Sequence, residues 1–148
     1  MAQTFTNLLT HVIFSTKERV PSIQPDWRPD LLAYLGGIIR ELQGKAVAIE
    51  GTNDHVHMLL WMPPNRSISE TLRVLKTNSS RWISRERGKT FAWQAGYGAF
   101  SVSQSNAPAI VKYIRGQEQH HRRVSFQEEF VAFLRRNGIE YDERYIWE

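Results

Sequence analysis

Two short stretches of the 148-residue chain carry residue types that can do chemistry. The first is Asp54-His55-Val56-His57-Met58-Leu59-Leu60. On a strand, alternate side chains share a face, so His55 and His57 project together while Val56, Met58 and Leu60 point the other way. Imidazoles two residues apart, about 7 Å along a strand, can converge on one metal ion or one phosphate group. Equally, they can cap a sheet edge by hydrogen bonding. The second stretch is Tyr113-Ile114-Arg115-Gly116-Gln117. Tyr113 and Gln117 lie four apart and share a helix face with Ile110 and Ile114. Taken alone, that tyrosine reads as a core residue with its hydroxyl at the surface. Taken in order, a histidine pair on a strand is followed by a helix that offers a tyrosine and a metal-capable amide.

The elements that must position these groups follow from hydrophobic periodicity. Phe5 to Thr16 is rich in β-branched and apolar residues and predicts a strand buried on both faces. Trp27, Leu31, Leu35, Ile38 and Leu42 recur at helical spacing and predict an amphipathic helix ending near Gly44. Lys45–Glu50 and His55–Met62 read as a hairpin around Gly51-Thr52-Asn53-Asp54. Ser67-Ile68-Ser69-Glu70 is a capping-box pattern that opens a second helix, and Gly98 to Ser103 reads as a short strand. Strand, helix, strand, strand, helix, strand predicts an α+β fold of the ferredoxin-like split βαβ type: one antiparallel sheet with two helices on one face. Two C-terminal helices follow, one over about 106–120 carrying Tyr113 and one opened by Ser125-Phe126-Gln127-Glu128 and stopped at Gly138.

Composition bounds the rest. The chain reads as one domain, residues 1–148, with 41% hydrophobic and 23% charged residues. It has no cysteine, which excludes a disulfide scaffold, thiol catalysis and thiolate metal sites. No apolar stretch approaches the roughly 20 residues that span a bilayer, and Met1-Ala2-Gln3-Thr4-Phe5 has no secretion-signal pattern. A soluble, cytoplasmic protein without membrane association is the expectation. The net charge of +4 is uneven. Residues 67–126 carry ten Lys/Arg against three Glu, the preceding residues balance, and the segment from Gln127 onward is net negative. A basic zone around the tyrosine is the footprint expected for a phosphate backbone, with Arg73, Lys76, Arg81, Arg85, Lys112, Arg115, Arg122 and Arg123 as candidate contacts. Trp82, Trp93 and Tyr97 could stack on unpaired bases or belong to the core.

Six motifs recur in order along nearly the whole chain: Leu9-Thr10-His11-Val12-Ile13-Phe14-Ser15-Thr16-Lys17, Asp54 to Leu60, Leu75-Lys76-Thr77-Asn78-Ser79-Ser80, Gly96-Tyr97-Gly98-Ala99-Phe100-Ser101, Tyr113 to Glu118, and Ile139-Glu140-Tyr141-Asp142-Glu143. This set resembles the single-tyrosine HUH transposases, the TnpA-like enzymes of small bacterial insertion sequences of the 200/605 type. The resemblance implies that Tyr113 is a nucleophile forming a 5′-phosphotyrosine link and that His55, His57 and Gln117 are metal ligands. It also implies an Mg²⁺ cofactor with Mn²⁺ competent, single-stranded DNA with hairpin ends as substrate, and a homodimer. A free tyrosine ionises near pH 10 and must be activated. The metal is the obvious activator, and the sequence names no general base beyond His11, His120 and His121 by chain position. Three other readings stay open: a domesticated relative acting on repeated chromosomal hairpins, a non-catalytic single-stranded nucleic-acid-binding module, and a metal hydrolase that uses water.

Overall fold

The first strand, β1 (Leu9–Ser15), sends Val12 and Phe14 to one face of the sheet and Leu9, His11, Ile13 and Ser15 to the other, and all six are buried. It starts later than its apolar run because Phe5 and Leu8 are exposed. The computed structural model describes residues 2–88, 90–120 and 124–148, with the backbone alone at 118 and 119. Helix α1 (Arg28–Glu41) has Pro29 in its first turn and buries Leu31, Leu35, Ile38 and Ile39. Strands β2 (Lys45–Gly51) and β3 (His55–Trp61) form the expected hairpin, with a bulge between Ala46 and Ala48. At the start of α2 (Ile68–Arg87), the Glu70 N–H donates to Ser67 Oγ, and Gly88 ends the helix in the left-handed conformation. Strand β4 (Gly98–Val102) completes the sheet.

The sheet is antiparallel throughout, in the order β2-β3-β1-β4. That is the βαββαβ ferredoxin-like topology. One face carries Val12, Phe14, Val56, Met58 and Leu60, which α1 and α2 cover with Leu31, Leu35, Leu72 and Leu75. The C-terminal helices cover the opposite face. The single helix expected over 106–120 is two helices, α3 (Ala107–Arg115) and α4 (Gln117–His120). The break falls at Gly116, the poorest helix former past the first turn of that stretch, whose N–H is shared between the carbonyls of Lys112 at 3.1 Å and Tyr113 at 3.2 Å. Helix α5 (Phe126–Arg136) opens with the expected cap, Ser125 Oγ accepting from the Glu128 N–H.

Two apolar clusters form under these helices. Ile13 and Phe100 meet Phe126, Phe130, Phe133 and Leu134 of α5, whereas Leu9, Ala48 and Leu59 meet Ala107 and Ile114 of α3. Tyr113 packs against both, so a seam runs between the two clusters. Close approach of α5 to β4 depends on Gly98, where a Cβ would lie 2.9 Å from Ile13 Cγ2 and 3.0 Å from the Phe130 ring. Gly98→Ala is expected to destabilise the fold by about 1–3 kcal/mol, read as a lower urea midpoint at unchanged slope. An unchanged midpoint would mean that α5 is not pressed against β4.

Candidate active site

The seam between the two apolar clusters holds a chain of buried polar groups. His55 and His57 lie on the same face of β3, as the strand alternation requires, with ring centroids 5.3 Å apart. Neither reaches solvent. His57 Nε2 is 2.7 Å from Glu129 Oε1, and His55 Nε2 is 3.7 Å from the same oxygen. The Nδ1 atoms are held from behind. His55 Nδ1 meets Asp54 Oδ1 at 2.7 Å and Thr52 Oγ1 at 2.8 Å, and His57 Nδ1 meets His11 Nε2 at 2.9 Å.

Glu129 is equally buried, and its second oxygen, Oε2, accepts the hydrogen bond of the Tyr113 hydroxyl. That hydroxyl is also 3.2 Å from His120 Nε2, which lies 3.2 Å from Glu129 Oε2. Burial raises the Tyr113 pKa above its ordinary value, and the hydrogen bond and negative charge of Glu129 raise it further. Gln117 and Arg136 act in the opposite direction. Without added positive charge, the phenol is therefore a protonated, poor nucleophile.

His55, His57 and Glu129 each offer one ligand atom, and these atoms all lie within 4.8 Å of one another. Two imidazoles whose Nδ1 atoms are engaged behind them, with their Nε2 atoms turned to one buried carboxylate, form a donor set of the kind that holds a divalent cation. The residues fit the group. Gln117, expected as the third protein ligand, is also fully buried, on the first turn of α4, where its amide donates to the Tyr113 carbonyl at 3.2 Å. The structure thus brings His55, His57, Tyr113 and Gln117 to one place within a single chain and adds Glu129, which sequence reasoning passed over. A signal for it exists. Glu129 lies three residues after Phe126 and four before Phe133, so an acid sits in the apolar stripe of its helix.

The candidate nucleic-acid contacts divide between two faces of the sheet. Lys112 and Arg115 are exposed on α3, the helix of Tyr113. Arg73, Lys76, Arg81 and Arg85 lie on α2, across the sheet. Arg73 borders a cleft of about 440 Å³ with Lys76, Thr77, Ser80 and Tyr97. The Lys76 ammonium is committed to the carbonyls of Gln94, Ala95 and Gly96, and burial lowers its pKa to about 8. Arg85 pairs with Glu86 at 3.4 Å on the surface. Arg122, Arg123 and His121 lie outside the described residues. Trp82 stacks on Tyr34 and Trp93 packs between Phe14 and Phe91, so both serve the core. No helix among the described residues is long and apolar enough to cross a membrane.

Residues 4–117 match the family described as transposase IS200 like. Transposases for insertion sequence element IS200 from Salmonella typhimurium and Salmonella typhi are each 32% identical to the chain over 129 residues, covering 79% of it and 81% of the relative. Among solved structures, a candidate transposase from Deinococcus radiodurans R1 superposes with a TM-score of 0.63 at 25% identity, covering 79% of this chain and 95% of its own. A REP-associated tyrosine transposase bound to a REP hairpin also gives 0.63, covering 84% of this chain and 74% of its own. At 15% identity, that second likeness is one of fold.

Proposed function

Because the chain belongs to the IS200-like transposase family, we propose that it cuts and rejoins single-stranded DNA at hairpin-bearing ends, with Tyr113 as nucleophile and a divalent cation at His55, His57 and Glu129. One observation carries this reading. Tyr113 and His57 share the buried carboxylate of Glu129, one oxygen each, so the nucleophile and the cation ligands are held in a single constellation. A cation bound there supplies positive charge against the scissile phosphate and the departing oxygen.

The chain's own residues do the rest. Tyr113 Oη attacks phosphorus, the P–O3′ bond breaks, and the leaving oxygen takes up a proton to become a free 3′-hydroxyl. Glu129 Oε2, already bonded to the phenol, is placed to receive the tyrosine proton, and the Gln117 amide favours the phenolate. A second 3′-hydroxyl reverses these steps and joins new ends, so one phosphodiester is exchanged for another without ATP. The mixed nitrogen and oxygen ligand set suits Mn²⁺ at least as well as Mg²⁺. A homodimer, with the tyrosine helix acting on the histidine pair of its own or of the partner subunit, would hold two DNA ends together.

The test is cleavage of a labelled hairpin DNA in Mg²⁺ or Mn²⁺, followed on a denaturing gel. Cleavage with a protein-linked fragment, lost on chelation and restored by either ion, is the expected result. Activity that survives exhaustive chelation would remove the cation. On the binding side, Lys112→Ala and Arg73→Ala are each expected to weaken binding of the hairpin DNA and to reduce the slope of log affinity against log salt by about 1. Slopes equal to that of the wild type would show that neither residue meets a phosphate.

A further inference from the structure

His11 takes no part in the steps above, yet it lies at the centre of the site. In the β1–β3 register His11 pairs with Leu59 and Ile13 with His57, so the two histidines are diagonal neighbours on one face. Their rings stack at 5.1 Å and 29°, with His11 Nε2 2.9 Å from His57 Nδ1. Phe133, Tyr113 and Phe100 wall in His11 edge-on at 5.0, 6.2 and 6.5 Å, leaving it 1% exposed.

An imidazole that offers a cation the lone pair of Nε2 must carry its proton on Nδ1, and a buried N–H needs an acceptor. For His55 that acceptor is the Asp54 carboxylate. For His57 the atom in place is a histidine nitrogen. We propose that His11 is the positioning residue of the cation site: when a cation is bound, its Nε2 accepts the His57 Nδ1 proton, which fixes the ring plane and the tautomer that leave the His57 Nε2 lone pair for the cation. The inference rests on the cation reading above and adds a residue to it. The role requires the His11 Nε2 lone pair to be available, with the ring's own proton on Nδ1. A neutral acceptor also draws on the His57 proton less than Asp54 draws on that of His55. The two imidazoles are therefore unequal ligands, His55 the more electron-rich.

Mn²⁺ titration followed by electron paramagnetic resonance, without DNA and without turnover, tests this directly. His11→Phe keeps a ring in the aromatic enclosure and removes the acceptor. Its Mn²⁺ affinity is expected to fall by about 10–100-fold. His11→Gln returns an acceptor oxygen at similar reach and is expected to recover most of that loss. Equal affinity in the wild type and His11→Phe, or equal loss in His11→Phe and His11→Gln, would overturn the assignment. Nitrogen-15 NMR of the Mg²⁺-loaded wild type gives a check free of any variant: a His57 proton on Nδ1 supports the proposal, and one on Nε2 contradicts it. A wild type that binds no Mn²⁺ would instead overturn the cation site itself.

Discussion

Tyr113→Phe is expected to abolish the protein–DNA adduct and lower strand cleavage by about 10⁴-fold or more, while binding hairpin DNA as the wild type does. The substitution removes one oxygen and keeps the ring. That ring packs edge-on against His57 at 5.8 Å and Phe133 at 5.6 Å, in the seam between two apolar clusters. The packing is untouched, and the lost hydrogen bond to the buried Glu129 carboxylate costs about 1.5–3 kcal/mol of stability. The wild-type hydroxyl is partly buried and bonded to a carboxylate, and both hold its pKa above the ordinary value. A covalent link through it requires the activation that the neighbouring ligand set can supply. Denaturing gels of both proteins against the same labelled DNA measure the effect. An adduct that persists in Tyr113→Phe would move the nucleophile elsewhere.

Glu129→Gln carries the second large effect. The amide has nearly the shape of the carboxylate and can still bond His57 and Tyr113, so the fold should survive. What goes is the charge and the ability to take a proton. Cleavage is expected to drop by about 10²–10⁴-fold, with a weaker Mn²⁺ affinity in the same protein. His57→Ala should lose cation binding and cleavage together, because it removes a ligand and leaves Glu129 without its 2.7 Å partner. A Glu129→Gln variant that cuts DNA at the wild-type rate in Mg²⁺ would remove the carboxylate from both roles.

Much of this site is legible in the residues because its parts obey local rules. The shared face of His55 and His57 follows from strand alternation, and the caps at Ser67 and Ser125 follow from a serine three residues before a glutamate. The sheet order follows from the element sequence and short connections. Two features depend on tertiary placement and are harder to see. Glu129 is 72 residues from His57 and meets it only because α5 docks across Gly98. His11 meets His57 through strand register, and no spacing along the chain sets that. The basic zone, continuous along the sequence, is split by the fold because α2 and α3 pack on opposite faces of the sheet. One of its lysines, Lys76, is a clamp on the 94–96 backbone.

The central claim is a covalent bond between Tyr113 and DNA. It is tested most directly by incubating the wild-type protein with hairpin-bearing single-stranded DNA and Mg²⁺ or Mn²⁺, denaturing, digesting with trypsin and locating the modified peptide by mass spectrometry. Cleavage after Lys112 and Arg115 releases Tyr113-Ile114-Arg115. The account predicts that this peptide carries the DNA fragment through a 5′-phosphate, with a free 3′-hydroxyl on the other strand end. Cut DNA with no modified peptide, or with the link on another residue, would contradict it.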